Sequence, residues 1–261
     1  MANRIYQVTT YRAKQLQALR NVKVHSPCIV QILSGSKRLF YKNSSMDLSP
    51  STLLLCSASS SLSFENLPQN GHFQSRVFSI HCLPEAHMLE NSKTYGQHQI
   101  GPPVLASSKS IAITLDALNA FDSANISEAT QTYWLMGLYQ QLAELGALHH
   151  LFPEHTVSFS HQLAKYLADS PAEEHSLESV AANFATSRAT LIRRLKQENI
   201  RYRDLLAEVR LNHALSLIQS GIIDLTMLSD MCGYKSESRF SQRFHGKFGV
   251  TPKQYIRSLT S

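Results

Sequence analysis

Apolar positions change their period along the chain, and each period predicts a different kind of element. Through the first 105 residues they come in short runs broken by turns. Cys28–Leu33 is one such run, Ser34-Gly35-Ser36-Lys37 makes a turn, and Arg38–Tyr41 is the return strand. Ser51–Leu55 and Leu62–Phe64 form another pair around the connecting serines Ser57–Ser61, and Arg76–His81 is a further strand. Strands at this spacing predict a small barrel or sandwich. From Ser110 the period turns helical. Ile113, Leu115, Leu118 and Phe121 predict one helix, and Ser127–Ala147 a longer one with Trp134, Leu138, Leu142 and Leu145 on one face. Ser158–Ala168 is the next helix, with Leu163, Tyr166 and Leu167 inward, and Asp169-Ser170-Pro171 breaks it. The boundary falls near Pro153–Val157. An α+β chain results: residues 1–157, β-rich over 1–105 and helical over 110–150, then a helical domain over 158–261.

The later domain holds two similar helix-turn-helix patterns, over 177–198 and 225–248. In the second, Asp224 can cap a helix carrying Leu225, Leu228 and Met231, and Gly233 supplies a left-handed turn residue. Ser236 can cap the next helix, whose Phe240, Phe244 and Phe248 lie four apart on one stripe until Gly249 and Pro252 end it. Leu177, Ala181 and Ala185 precede Leu225, Ser229 and Gly233 by 48 residues, and Leu191 and Leu195 precede Phe240 and Phe244 by 49. Ala185 stands where Gly or Asn fits more easily. His245-Gly246 weakens the end of the second recognition helix. Between the two patterns, Tyr202–Gln219 carries Leu205, Leu206, Val209, Leu215 and Ile218 for two packing faces.

The runs G-Y-x-S-x-S-x-F-x-x-x-F at Gly233–Phe244 and F-G-V-T-P-x-x-Y at Phe248–Tyr255, with the duplicated unit, resemble the DNA-binding domain of the AraC/XylS family of transcription regulators. The resemblance covers about the last 100 residues. It implies a cupin-like N-terminal sensor domain, whose following helices pair two subunits through a stripe such as Trp134, Leu138 and Leu142. The alternative is that the stripe packs on the barrel. It also implies that Ala189 and Arg193 reach bases in the first unit, with Ser238, Arg239 and Gln242 on the equivalent face of the second. Arginine can grip guanine O6/N7, glutamine can read adenine, and alanine offers only a methyl contact. Arg188, Arg194, Lys196, Lys235 and Arg243 are expected at phosphates. If both units enter one face of DNA, their recognition helices sit about 34 Å apart.

Charge agrees with that reading. Residues 1–175 hold 12 Lys+Arg and 12 Asp+Glu, whereas 176–261 hold 13 and 7, so the whole +6 lies in the last third. Met1–Asn21 is polar with four basic residues and shows no secretory signal. No apolar run approaches the roughly 20 residues of a membrane helix. Cys28, Cys56, Cys82 and Cys232 have no CxxC or zinc spacing and read as buried thiols of a reducing cytoplasm, with redox sensing the alternative.

A cupin-type metalloenzyme would need an HxH pair, which is absent. His81, Glu85 and His87 are the nearest cluster, interrupted by Pro84, and His149-His150 reads as a solvated helix end. The expected protein is therefore no enzyme and has no metal or other cofactor. It is expected to be a cytoplasmic homodimer, with promoter DNA and RNA polymerase as partners and no membrane. An architectural DNA-binding protein is the other alternative. Overall length and layout resemble AraC-type activators of enteric virulence genes, some of which bind fatty acids between their domains. Such an effector would want a cation at a cavity mouth, for which Lys23, Lys37, Arg38 and Lys42 are available.

Overall fold

The computed structural model describes residues 5–41, 44–58, 60–95, 104–123, 126–153 and 158–260. Among these, eight strands come first: β1 (Tyr6–Ala13), β2 (Gln17–Lys23), β3 (Cys28–Ser34), β4 (Ser36–Tyr41), β5 (Ser44–Leu48), β6 (Thr52–Cys56), β7 (Ser61–Leu67) and β8 (Phe73–Ile80). Helix α1 (Ala86–Tyr95), strand β9 (Val104–Ala106), α2 (Lys109–Ser123) and α3 (Glu128–Glu144) follow. The expected boundary runs into 154–157, outside the described residues. Beyond it the chain is helical: α4 (Phe159–Ala168), α5 (Leu177–Asn183), α6 (Arg188–Gln197), α7 (Tyr202–Gln219), α8 (Leu225–Met231), α9 (Glu237–Phe248) and α10 (Pro252–Thr260).

The strands form two antiparallel sheets, ordered β1-β8-β3-β6-β9 and β2-β7-β4-β5. Side chains alternate across a strand. Cys28, Val30 and Ile32 of β3 therefore face the space between the sheets, with Leu54, Cys56 and Phe73 beside them and Leu39, Leu48 and Phe64 opposite. Ile29, Leu53, Leu55, Phe78 and Ile80 point the other way, against Ile111, Leu115 and Leu118 of α2 and Leu135, Leu138, Tyr139 and Leu142 of α3. Burial on both faces explains why β6 reads as an apolar run, Leu53–Cys56, and why β3 is apolar from Cys28 to Leu33 apart from the buried Gln31.

That packing corrects the expected subunit surface. Leu138 and Leu142 are buried in the protein's own core, because this face of α3 is the one that covers the sheet. Trp134 remains 42% exposed, edge-on to Phe121 at 5.0 Å between ring centroids. Two smaller expectations change as well. Cys82 is only partly buried, unlike the other three thiols. His149 and His150 are half-buried, with His149 Nδ1 sharing a 2.9 Å hydrogen bond with Ser92 Oγ.

The helical half has two cores. Phe159, Leu163, Val180, Leu191 and Leu195 pack with Tyr202, Leu205 and Val209 from the front of α7. Leu211, Ala214, Leu215 and Ile218 from the rear of α7 pack with Leu228, Phe240, Phe244, Phe248 and Tyr255. Leu19 of β2 is a member of this second core, so the two halves of the chain meet there.

Candidate nucleic-acid interface

Both helix-turn-helix units form as their end signals predict. Ser187 accepts from the Thr190 amide at 3.1 Å, Asp224 from Met227 at 2.8 Å and Ser236 from Arg239 at 3.4 Å, so each cap satisfies an otherwise orphaned N–H. Gly233 turns with φ +72° and Gly249 ends α9 with φ +80°. Ala185 also adopts φ +47°, a left-handed conformation unfavourable for any residue with a Cβ.

Burying Leu191 and Leu195 turns the opposite side of α6 outward. Ala189, Arg193 and Lys196 are exposed there. Ile192, missed in the sequence reading, is 43% exposed on the same helix, and its only signal was an apolar residue off the core stripe. On α9 the buried stripe Phe240, Phe244 and Phe248 leaves Ser238, Arg239, Gln242 and Arg243 exposed, with Lys235 exposed in the turn before it. Arg193, Lys196, Lys235, Arg239 and Arg243 make no ion pair among the described residues.

Two expected phosphate ligands have partners inside the protein. Arg188 Nη1 lies 2.9 Å from Glu178 Oε1, both well exposed. Arg194 lays its guanidinium 3.8 Å above the Phe159 ring, which holds it against α4. Further along α9, Lys247 pairs with Glu208 at 2.8 Å, so the end of this helix presents less free positive charge than its sequence suggests.

The second unit is also bonded to the strand-rich half. Lys14 and Gln15 donate backbone N–H to Ser258 O at 2.8 and 3.2 Å. Gln219 Oε1 accepts from Arg12 N at 2.9 Å while its Nε2 donates to Arg12 O at 3.1 Å. A buried chain runs deeper. Lys37 Nζ donates to Asn66 Oδ1 (2.5 Å), Asn66 Nδ2 to Gln17 Oε1 (2.8 Å) and Gln17 Nε2 to Ser258 Oγ (2.8 Å). Ser258 Oγ then donates to Tyr255 O at 2.6 Å. Lys37 sits 3.5 Å from the Phe64 ring centroid and is only 6% exposed; burial pulls its pKa down to about 7. Of the other cations considered for an effector, Arg38 pairs with Asp47 on the surface, and Lys42 lies outside the described residues.

Of the cluster weighed as metal ligands, His81 hydrogen-bonds Ser26, and His87 pairs with Glu85 at 3.3 Å on the surface. No group of three or more His, Cys, Asp and Glu residues suited to a metal occurs among the described residues.

A family profile described as a helix-turn-helix domain matches residues 180–258, which span both units from α5 to α10. The HTH-type transcriptional activator FapR of Escherichia coli is 27% identical over 148 residues, 56% of this chain and 57% of its own. The virulence regulon transcriptional activator VirF of Shigella flexneri is 26% identical over 100 residues, 38% of each chain. Residues 180–258 therefore carry an AraC-type helix-turn-helix domain. The chain spans a little over half the length of FapR and well under half of VirF. The likeness to ToxT from Vibrio cholerae covers 99% of this chain and 100% of that one, with a TM-score of 0.65. At 16% identity it shows a shared fold, which includes the two sheets as well as the helical half. ToxT has also been solved with an unsaturated fatty acid bound.

Proposed function

We propose that this chain is a sequence-specific transcription activator whose helical half reads two successive major grooves of promoter DNA from α6 and α9. The domain border falls at 157/158. The observation that carries the reading is the repeat of one unit on either side of α7, each with a capped recognition helix whose uncovered face holds arginine. Arg193 is the principal base reader of the first unit, and Arg239 with Gln242 of the second. Ala189 and Ser238 lie beside them, and Lys196, Lys235 and Arg243 serve phosphates. The activator names borne by FapR and VirF support the sign of regulation and RNA polymerase as a partner. It works in the cytoplasm as a homodimer, and the exposed Tyr133 and Trp134 of α3 replace Leu138 and Leu142 in the pairing surface.

A small apolar carboxylate such as a fatty acid is the effector class proposed for the strand-rich half. The fatty-acid-bound ToxT supports it, together with Lys37, a buried cation without an ion-pair partner among the described residues.

Competition binding tests the base-reading assignment. Duplexes selected from random sequence supply the specific site. On it, Arg239→Ala should cost about 1–3 kcal/mol, with little change on random DNA, and one base pair should account for the loss. A loss equal on all sequences would move Arg239 to the phosphate set. Wild-type affinity equal on selected and random duplexes would point to an architectural DNA-binding protein.

A further inference from the structure

Helix α7 changes core halfway along its length. Tyr202, Leu205 and Val209 belong to the first unit's core, and Leu211, Ala214, Leu215 and Ile218 to the second's. Arg210 stands at the changeover, and its guanidinium donates to three backbone carbonyls. Nε reaches Pro171 O and Nη2 reaches Glu173 O, both at 2.9 Å, in the loop leading into α5 of the first unit. Nη1 reaches Gly233 O, also at 2.9 Å, in the turn between α8 and α9 of the second. The fit is close from the other side too. A Cβ at Gly233 would stand 2.7 Å from Arg210 Nη2 and 2.9 Å from Ala172 O. One side chain thus ties the turn of one unit to the entry loop of the other.

An 18-residue helix is a rod about 27 Å long, and it fixes how far apart the two units lie. Packing of two separate cores on that rod leaves their relative rotation less determined. The planar, five-donor fork of arginine suits it to hold carbonyls that approach from different directions. We propose that Arg210 is the positioning residue that sets the rotation of the second recognition helix relative to the first, and so fixes the spacing of the two DNA half-sites. This rests on the two-groove reading above. A lysine could not substitute, because its three donors radiate from a single nitrogen.

The test compares full-length wild type, Arg210→Lys and Arg210→Met on duplexes whose half-sites are moved apart or together one base pair at a time. Each added pair rotates one half-site by roughly 35° and shifts it about 3.4 Å. Wild type should show one sharp optimum and lose at least ~10-fold on a one-pair insertion, since linkage helps only where both modules engage together. The variants should lose ~10-fold at that optimum yet bind the neighbouring spacings within about threefold of it, with each single half-site bound as by wild type. A variant spacing profile of wild-type shape would overturn the proposal, whatever its overall affinity. So would loss of single half-site binding in both variants, because arginine would then be holding each unit's fold. Arg210→Lys keeps the charge and the apolar stem, and decides the matter if Arg210→Met fails to fold. A wild type with no spacing optimum would instead remove the two-groove reading itself.

Discussion

Among the described residues the core of the first helix-turn-helix unit is built from helices α4 to α7, whereas Leu19, Val22 and Phe64 of the strand-rich half enter the core of the second. The bonds between the halves follow the same division. Arg12, Lys14, Gln15 and Gln17 bond to Gln219 and Ser258, Asn212 donates to Lys23 O at 2.7 Å, and Asn21 reaches Lys247 O at 3.5 Å. Their partners lie on the rear of α7, α9 and α10. Equal units are therefore held unequally. A change between the two sheets therefore bears directly on α7, α9 and α10, and reaches α6 through α7.

The largest expected effect would break this comparison outright. Leu19 is 3% exposed among the apolar side chains of the second core. Leu19→Asp places a carboxylate there without a partner, at a cost of several kcal/mol, on the order of 3 or more. Hydrogen exchange should lose protection across α8 to α10 while α5 and α6 keep theirs. Equal loss in both units would mean that they open as one body and that the asymmetry of contacts has no energetic counterpart.

A smaller effect, dependent on pH, should also be confined to the second unit. Lys37 begins the buried chain that ends at Ser258 and Tyr255 in α10. Its folded pKa of about 7 lies below the ordinary lysine value. Above pH 7 the unfolded chain therefore retains a proton that the folded chain has released, and stability gains a rising contribution toward pH 10. Below pH 7 both states hold the proton and the contribution is flat. The rise is at most about 1.4 kcal/mol per pH unit. Subtracting the stability profile of Lys37→Met from that of wild type isolates it from the raised thiols Cys28 and Cys232, which act in the opposite sense at higher pH. A flat difference profile from pH 7 to 9 would show that the lysine titrates as if solvated.

What the sequence made legible follows from which contacts are local. Helix caps at Ser187, Asp224 and Ser236, the left-handed Gly233 and the Phe240/Phe244/Phe248 stripe depend on neighbours a few residues away, and all form as read. Strands buried on both faces, such as β6, announce themselves by composition. β1 and β2 do not. Gln17 occupies a buried position on β2 because it bonds to Asn66 and to Ser258, a residue 241 positions away, and no period in QALRNVK reveals that. The stripe on α3 was visible, but not what covered it. An apolar face looks the same in sequence whether a sheet or a second subunit lies against it. At the DNA-facing surface, exposure of Arg193, Arg239 and Gln242 followed from helical spacing, while the capture of Arg194 by Phe159 depended on the fold.

The smallest expected effect sharpens the comparison at one pair of equivalent positions. Ala185 and Gly233 occupy the same place in the two turns, with φ +47° and +72°. At 233 glycine is required twice, by the backbone angle and by the guanidinium and carbonyl that a Cβ would strike. At 185 the chain carries a Cβ in the left-handed region, on an exposed residue. An L-residue there costs roughly 1–2 kcal/mol, and glycine gives back about 0.5–1 kcal/mol through the freer unfolded chain. Ala185→Gly should then stabilise the first unit by about 0.5–1 kcal/mol. For a unit of this size that is a rise in Tm of about 2–8 °C. Protection should increase in α5 and α6 and stay level in α8 and α9, since no core is shared between them. Affinity for single half-sites should not change, because the capped start of α6 is already formed in wild type. A lowered Tm would mean that added freedom outweighs the relieved strain. A gain spread evenly over both units would mean that α7 passes stability along the chain as well as geometry.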